Sequence, residues 1–517
     1  MSDSASAGGT GRRLVADTLH VASGRLAGML VWLMYTPLVL DHLGPQRFAL
    51  WALFYAVLGS MGAVDLGLVA GTVRHVAAAR AAEKPHDAGA HVAMGLVGFM
   101  ALGAVWFGAA AWLGETALDW LRVPETSRAD AAFVLYAGAV VFALSGWANV
   151  IMGAAQGCGR FALANASALA IAFVQAVGIP LAIVAGGGLR WLLGVVALSW
   201  GAGFAFGALR LWPLEPGLRP AWPRDPRPVR EAWAFGGPLQ VTNALSALHT
   251  HLDKFLLARF AGLAVVAQFD LGMRIVVSVA TFAQLPLAAL LPVASRLHAA
   301  GDHAGLRALH KRATRWVAAG VVVLLAPIAG AADVLVAAWL GPGHDEAALA
   351  LRCLAPAAAC TLATGVASVT ARATGRTGVE AAAAATLLAI HVALSVAFVP
   401  SHGLRGALGA LLAANLLGGA TLLVAVARSL GVSAREALVA PHAAPLAAGV
   451  AGAAAAWAVA RAPGTSAGVL AWAALLGAGA AGALTSVGIL LVLRHVRWSE
   501  ACALVVAPVR RSRDGGV

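Results

Sequence analysis

One recurrence constrains this chain more than any other feature. Apolar runs of about twenty residues return along its whole length, each long enough to cross a bilayer core as a helix. LAGMLVWLMYTPLVL (26–40), AFVLYAGAVVFAL (132–144), WVAAGVVVLLAPIAGAA (316–332) and TSVGILLVL (485–493) are examples. Composition agrees: 60% of the 517 residues are hydrophobic, 11% are charged and the mean hydropathy is +0.82. Soluble domains carry about a quarter charged residues. The sequence therefore predicts an all-α polytopic membrane protein.

Spans are expected at residues 16–40, 48–71, 91–113, 131–155, 161–185, 190–211, 235–258, 265–293, 315–338, 347–371, 377–400, 404–428, 440–460 and 468–493. That is about fourteen transmembrane helices, or twelve if the Ala/Gly-rich last third divides differently. With the N-terminus inside, about 25 Lys and Arg fall on inner segments against about 7 outside, which orients both ends to the cytoplasm. The same bias explains the net charge of +13 without nucleic acid as a partner. The first apolar run has no clear small-residue cleavage site and reads as an uncleaved span. Cys158, Cys353, Cys360 and Cys502 show no CxxC spacing, so neither a zinc site nor a disulfide framework is expected.

The longest interior segment without apolar character is WPLEPGLRPAWPRDPRPVREAW (212–233), whose prolines and arginines suit a cytoplasmic linker. It separates six spans from eight. The expected organisation is a cytoplasmic N-terminus (1–13), an N-lobe of helices 1–6 (14–211), the linker, and a C-lobe of helices 7–12 (234–430). Two extra helices (431–493) and a cytoplasmic tail (494–517) follow. A duplicated lobe is consistent with this count. LGPQRFALW (43–51) can be laid on AGLAVVAQF (261–269), sharing a Gly, an Ala and a terminal aromatic, each between the first two spans of its lobe.

Charge inside the spans points to function. In HTHLDKFLLARF (249–260) an acid and a base sit side by side late in an apolar run. Sorted at about 100° per residue, Thr242, Asn243, Ser246, His249, Thr250, Asp253 and Lys254 fall within one arc of roughly 140°. The next span carries Asp270, Arg274, Ser278, Thr281 and Gln284 as a stripe. In the first span Arg25 shares a face with Thr18, Trp32 and Thr36, and has no local acid. An ionisable side chain within a span costs several kcal/mol unless it meets water or a partner, so striped helices argue for a hydrated central cavity. Plainer readings stand beside this one. Lys254 can snorkel to the outer interface, and Asp270 and Arg274 can neutralise each other at i,i+4. Asp65, in VDLGL, suits a helix-end or lobe-packing role. Asp333 and Arg352 lie near outer span ends, and His391 reads as packed or pore-facing.

Several chemistries are absent from the sequence. No GxxxxGK[ST] motif provides for an ATP-driven pump, no HExxH or paired Cys/His spacing provides for a metalloenzyme, and no cofactor is expected. No loop is long enough to hold a catalytic domain, so the chain does not read as an enzyme.

LGPQRFALWALFYAVLGSMGAVDLGL (43–68) and LDKFLLARFAGLAVVAQFDLGMRI (252–275) resemble two signatures of the bacterial polysaccharide transporters. These are the O-antigen and exopolysaccharide flippases, in the superfamily that also holds lipid II flippases and multidrug and toxin extrusion proteins. Gln268 and Phe269 stand where that family often has Gly-Tyr. The resemblance implies two six-helix lobes in a V shape plus two C-terminal helices, with helices 1, 2, 7 and 8 lining the cavity. It implies, as partner, a polyprenyl-diphosphate-linked oligosaccharide carried from the inner to the outer leaflet of the bacterial inner membrane, with polysaccharide polymerase machinery as a possible further partner. Arg25, Lys254 and Arg274 would meet the diphosphate, His249 and Asn243 are further substrate-binding candidates in the cavity, and Asp253, Asp270 or Asp65 would couple flipping to H+ or Na+. The cations in the spans are, however, offset by acids, which keeps a drug or cation antiporter of the same superfamily as the alternative. A membrane-embedded polysaccharide polymerase or ligase is a further alternative, disfavoured by the short outer loops.

Overall fold

Apolar runs with no other outlet for their backbone polar groups become helices, and the computed structural model is helical along nearly every described residue. It describes residues 3–62, 67–83, 85–221, 227–462 and 468–495; their side chains are described except at 3–27, 85–86, 227–240, 285–286, 288–289 and 468–469. The chain divides into two compact units, 1–267 and 268–517.

The first unit holds α1 (Asp3–Gly62), α2 (Leu68–Ala81), α3 (Pro85–Trp120), α4 (Glu125–Gly157), α5 (Phe161–Val184), α6 (Leu189–Leu214) and α7 (Arg227–Phe260). α8 (Leu263–Ala283) begins here and continues into the second unit. α1 is two helices joined at Gly44, whose φ of 71° and ψ of 167° break the spiral. That conformation is essentially confined to glycine, and Pro45 then opens the next helix, where its missing amide hydrogen costs nothing. The core between α2, α3, α4 and α6 is built from Val92, Phe99, Phe142, Ile151 and Leu211, all buried.

Two boundaries differ from the sequence expectation. The segment expected as a linker over 212–233 is shorter: α6 runs on to Leu214 with Pro213 in its last turn, and α7 already begins at Arg227. Proline is tolerated in the first turn of a helix, so Pro228 does not delay the start. The compact units also part after α7 rather than at that segment, because α7 packs on α1 and α2. The connection between the spans expected at 91–113 and 131–155 shrinks to the short turn 121–124 between α3 and α4. Arg128 holds the two helix ends together through Glu115 (2.6 Å) and Asp119 (2.7 Å).

At the other end of the same helices, Glu215 beyond α6 takes Arg160 (2.9 Å) and Arg80 (3.3 Å), and Arg80 also donates to the Cys158 carbonyl (2.7 Å). These groups are partly solvated, and each such pair contributes at most about 1 kcal/mol. Glu215→Gln is therefore expected to cost about 1 kcal/mol and to cost less in high salt. Thermal unfolding in detergent at two ionic strengths measures both.

The second unit holds the rest of α8 and then α9 (Leu285–Ala299), α10 (His303–Gly330), α11 (Ala332–Leu340), α12 (Asp345–Ala363), α13 (Gly365–Ala373) and α14 (Thr377–Ser429). α15 (Ala434–Leu438), α16 (Ala443–Ala460) and α17 (Gly468–Val492) follow. α14 is again two spans, bent at Gly403 (φ 52°). α10 packs on α12, α16 and α17, and α16 and α17 form a pair. Asp333 binds Arg352 (2.5 Å) and Arg461 (3.7 Å), and Arg372 grips Glu380 through both oxygens (2.9 and 2.8 Å). His391 is fully buried.

Among the described residues, ten helical stretches are long and apolar enough to cross a membrane, one of them the double span 377–429. Several expected spans are not single helices. The second (48–71) breaks at Gly67, whose φ is 71°, the eighth (265–293) turns at Gln284, the ninth at Ala331 and the tenth at Thr364.

Candidate functional site

The polar arc expected on α7 is described from residue 241 onward and changes character along its length. Ser246 and Thr250 are exposed, Asn243 and His249 are half-buried, and Asp253 and Lys254 are buried at 1% and 5% exposure. Lys254 is thus enclosed, and the snorkelling alternative fails. His251, between the polar and apolar sides, lies so close to Gly59 of α1 that a β-carbon there would collide with its Nε2. Gly59 therefore sets how closely α7 approaches α1.

On α8 the expected stripe begins as an ion pair. Arg274 Nε donates to Asp270 Oδ2 at 2.7 Å, and the two residues are 1% and 2% exposed. The mutual neutralisation anticipated at i,i+4 is present. Ser278 is buried and returns its hydroxyl to the Arg274 carbonyl (2.7 Å); Thr281 and Gln284 are more open. Gly272, midway between the two in sequence, admits α12: a β-carbon there would stand 2.8 Å from the Leu351 nitrogen and 3.0 Å from the Ala347 carbonyl oxygen. Gln268 Nε2 and His344 Nδ1 lie 3.2 Å apart at the start of the same interface.

Arg25 lies on the α1 backbone, but its side chain falls outside the described residues, as does the whole of Asp65. The structure therefore brings together Asp270 and Arg274, encloses Asp253 and Lys254 side by side on α7, and leaves Asn243 and His249 part-accessible.

Laying LGPQRFALW on AGLAVVAQF is supported by backbone and burial. Gly44 and Gly262 both have positive φ, 71° and 92°. In that register Phe48, Ala49 and Trp51 match Val266, Ala267 and Phe269, and all six are fully buried. The register also matches Tyr35 with Asp253, Thr36 with Lys254, Ala52 with Asp270 and Ala56 with Arg274; every one of these is buried. In that register Gly67, which breaks the helix ahead of α2 with a φ of 71°, falls within one residue of the turn at Gln284. Gly- or Pro-interrupted segments at corresponding places in two repeats are a recurrent pointer to transporter binding sites.

Two features were not anticipated. Trp32, Tyr35, Trp51, Phe54 and Tyr55 form an aromatic cluster in α1, with the Trp51 and Tyr55 centroids 5.3 Å apart and edge-on. Aromatic residues at helical spacing on both sides of Gly44 are its signal in the sequence. His75 of α2 and His91 of α3 stack at 4.3 Å, a contact with no sequence signal because it depends on how two separate helices pack. Among the described residues no group of His, Cys, Asp and Glu is arranged to hold a metal.

Charged side chains buried in successive apolar helices, within an all-helical chain, define the fold of a polytopic membrane protein. The chain belongs to the polysaccharide biosynthesis protein family, whose model matches residues 14–298. A comparison with curated proteins finds no match. Among solved structures, the chain is similar to the lipid II flippase MurJ in an inward closed conformation, with a TM-score of 0.70 and 11% identity over 93% of this chain and 98% of that one. It is also similar to an inward-facing multidrug resistance MATE family transporter of the MOP superfamily, with a TM-score of 0.67 and 16% identity over 79% and 94%. A MOP superfamily transporter from Pyrococcus furiosus aligns at a TM-score of 0.58 and 16% identity over 80% and 95%. At these identities the likeness is one of fold.

Proposed function

We propose that the protein is a flippase that moves a polyprenyl-diphosphate-linked oligosaccharide from the inner to the outer leaflet of the bacterial inner membrane by alternating access, with both termini cytoplasmic. The observation that carries this reading is the extent of the family match. Residues 14–298 contain every candidate side chain: Arg25, Asp65, Asn243, His249, Asp253, Lys254, Asp270 and Arg274. A glycan needs polar contacts, a diphosphate needs cations, and a polyprenyl chain can remain in lipid. Arg25, Lys254 and Arg274 are the diphosphate candidates, with arginine the better fork for phosphate oxygens. Asn243 and His249, being part-accessible, are suited to the glycan. Asp270 is the favoured coupling group, because a proton or sodium ion taken there would loosen its hold on Arg274 and release the guanidinium to an anion. Asp253 and Asp65 are the other coupling candidates. Polysaccharide polymerase machinery is the natural recipient of the flipped unit.

The pairing of Asp270 with Arg274 also supports a second reading. A site whose cations are already neutralised suits an ion-coupled exporter of cationic compounds. Proteoliposomes loaded with a polyprenyl-diphosphate oligosaccharide separate the two. Protein-dependent leaflet transfer is expected, falling at least tenfold in Arg25→Ala and in Lys254→Ala. Absence of transfer together with proton-driven efflux of a cationic dye would assign the protein to the antiporters instead.

A further inference from the structure

A pair of cavities in the second unit is lined by none of the candidate site residues. The first, 610 Å³ in volume, runs between α10, α12, α14 and α16 and is walled by side chains such as Val322, Leu325, Leu423, Leu446 and Val450. Such a volume is within the usual range of about 300–1,000 Å³ for ligand pockets. Its few polar walls are mostly spent. Thr364 donates to the Thr361 carbonyl (2.7 Å), and Asn415 donates to the Leu411 carbonyl (3.0 Å) while accepting from Thr361 (2.8 Å). Only carbon is left to offer a ligand along most of its length.

The second cavity, 390 Å³, adjoins the first across Leu423 and adds a cationic side to an otherwise apolar wall. Lys311, Arg312 and Arg315 of α10 line it, against the single acid Glu436. Glu436 is already engaged, 3.6 Å from Lys311 and closing a capping box with Ser433. His310, also in its wall, is tied to Thr370 (2.9 Å). At the junction stands His442, which borders the first cavity. Its Nδ1 lies 3.2 Å from the Leu438 carbonyl, and its Nε2 is buried with no hydrogen-bond partner.

We propose that these two cavities bind one anionic phospholipid, with its acyl chains in the apolar cavity and its phosphate against Lys311, Arg312 and Arg315. Phosphatidylglycerol fits the chemistry: its phosphate matches the cations and its two chains match the apolar cavity. The positive-inside count puts this end of α10 at the cytoplasmic surface, where basic pockets between spans take up anionic headgroups. The site does not depend on the transport reading.

The test uses the full chain in detergent, with phosphatidylglycerol or phosphatidylcholine of identical chains added and bound lipids counted by native mass spectrometry. Phosphatidylglycerol is expected to be retained about tenfold more than phosphatidylcholine, and this preference should shrink as salt screens the cations. The triple variant Lys311→Ser/Arg312→Ser/Arg315→Ser should bring the two lipids to parity. Ala420→Phe, which narrows the apolar cavity, should reduce retention of both. Equal retention by the wild type, or a preference untouched by the triple variant, would overturn the proposal. So would displacement by inorganic phosphate alone, which needs no chains, or preferential displacement by undecaprenyl phosphate, which would make the cavities part of the substrate path.

Discussion

Replacing Arg274 by methionine should lower the unfolding free energy by about 3–5 kcal/mol, whereas Asp270→Leu/Arg274→Met should recover most of that loss. Both residues are almost completely enclosed and their charged groups meet at 2.7 Å. Taking away one partner leaves the other charge desolvated and uncompensated, which is the costly event. Taking away both exchanges a paired, desolvated ion pair for apolar packing, which is often neutral. Unfolding of the purified protein in detergent, followed for both single variants and the double, gives the comparison. A single variant as stable as the wild type would mean that the pair is not buried in the folded protein. The same set separates structure from transport. If Arg274 binds the diphosphate, the double variant folds and fails to transfer glycolipid; if the pair is only structural, the double variant transports normally.

Gly272→Leu should be the most damaging single change at the interface between α8 and α12. Even alanine there would press a methyl group against the Leu351 nitrogen at 2.8 Å, the Ala350 side chain at 2.9 Å and the Ala347 carbonyl oxygen at 3.0 Å. Two of these are backbone and cannot turn aside. Removing a helix-interior glycine gains about 1 kcal/mol of intrinsic helix preference, while overpacking costs roughly 1–3 kcal/mol for an added methylene or so. Alanine should therefore be mildly destabilising on balance. Leucine adds three further carbons with nowhere to go and should exceed the upper figure, parting α8 from α12. Melting temperatures that fall from the wild type to Gly272→Ala, and fall again to Gly272→Leu, would confirm the steric account; a leucine variant no less stable than the alanine one would refute it.

How much of this was legible in the sequence depends on whether a property is local. Span positions were, because each follows from about twenty consecutive residues. The corner at Gly44 was legible too, since a glycine followed by proline allows few conformations. Interruptions were read less well. That at Gln284 has a local cause in Pro286, which supplies no amide hydrogen to the preceding turn, yet hydropathy runs through it without a dip. The ion pair of Asp270 and Arg274 was visible from i,i+4 spacing, but its enclosure was not, because burial depends on how separate helices pack on α8. The same holds for the fit of His251 on Gly59. Among the charged residues, Asp333 and Arg352 looked like separate span-end groups and turn out to be partners (2.5 Å), a contact across 19 positions that no periodicity reports.

The correspondence of Tyr35, Thr36, Ala52 and Ala56 with Asp253, Lys254, Asp270 and Arg274 has a further consequence. Two identical halves, joined as separate subunits, would be bound by symmetry: any charge on one would reappear on the other. Covalent fusion lifts that obligation. One copy here has filled the four places with uncharged side chains, the other with two acids and two bases, and all eight remain enclosed. The glycolipid we propose as passenger, sugar at one end and hydrocarbon at the other, would be met by a carrier that is itself lopsided, and a tandem chain is free to become one.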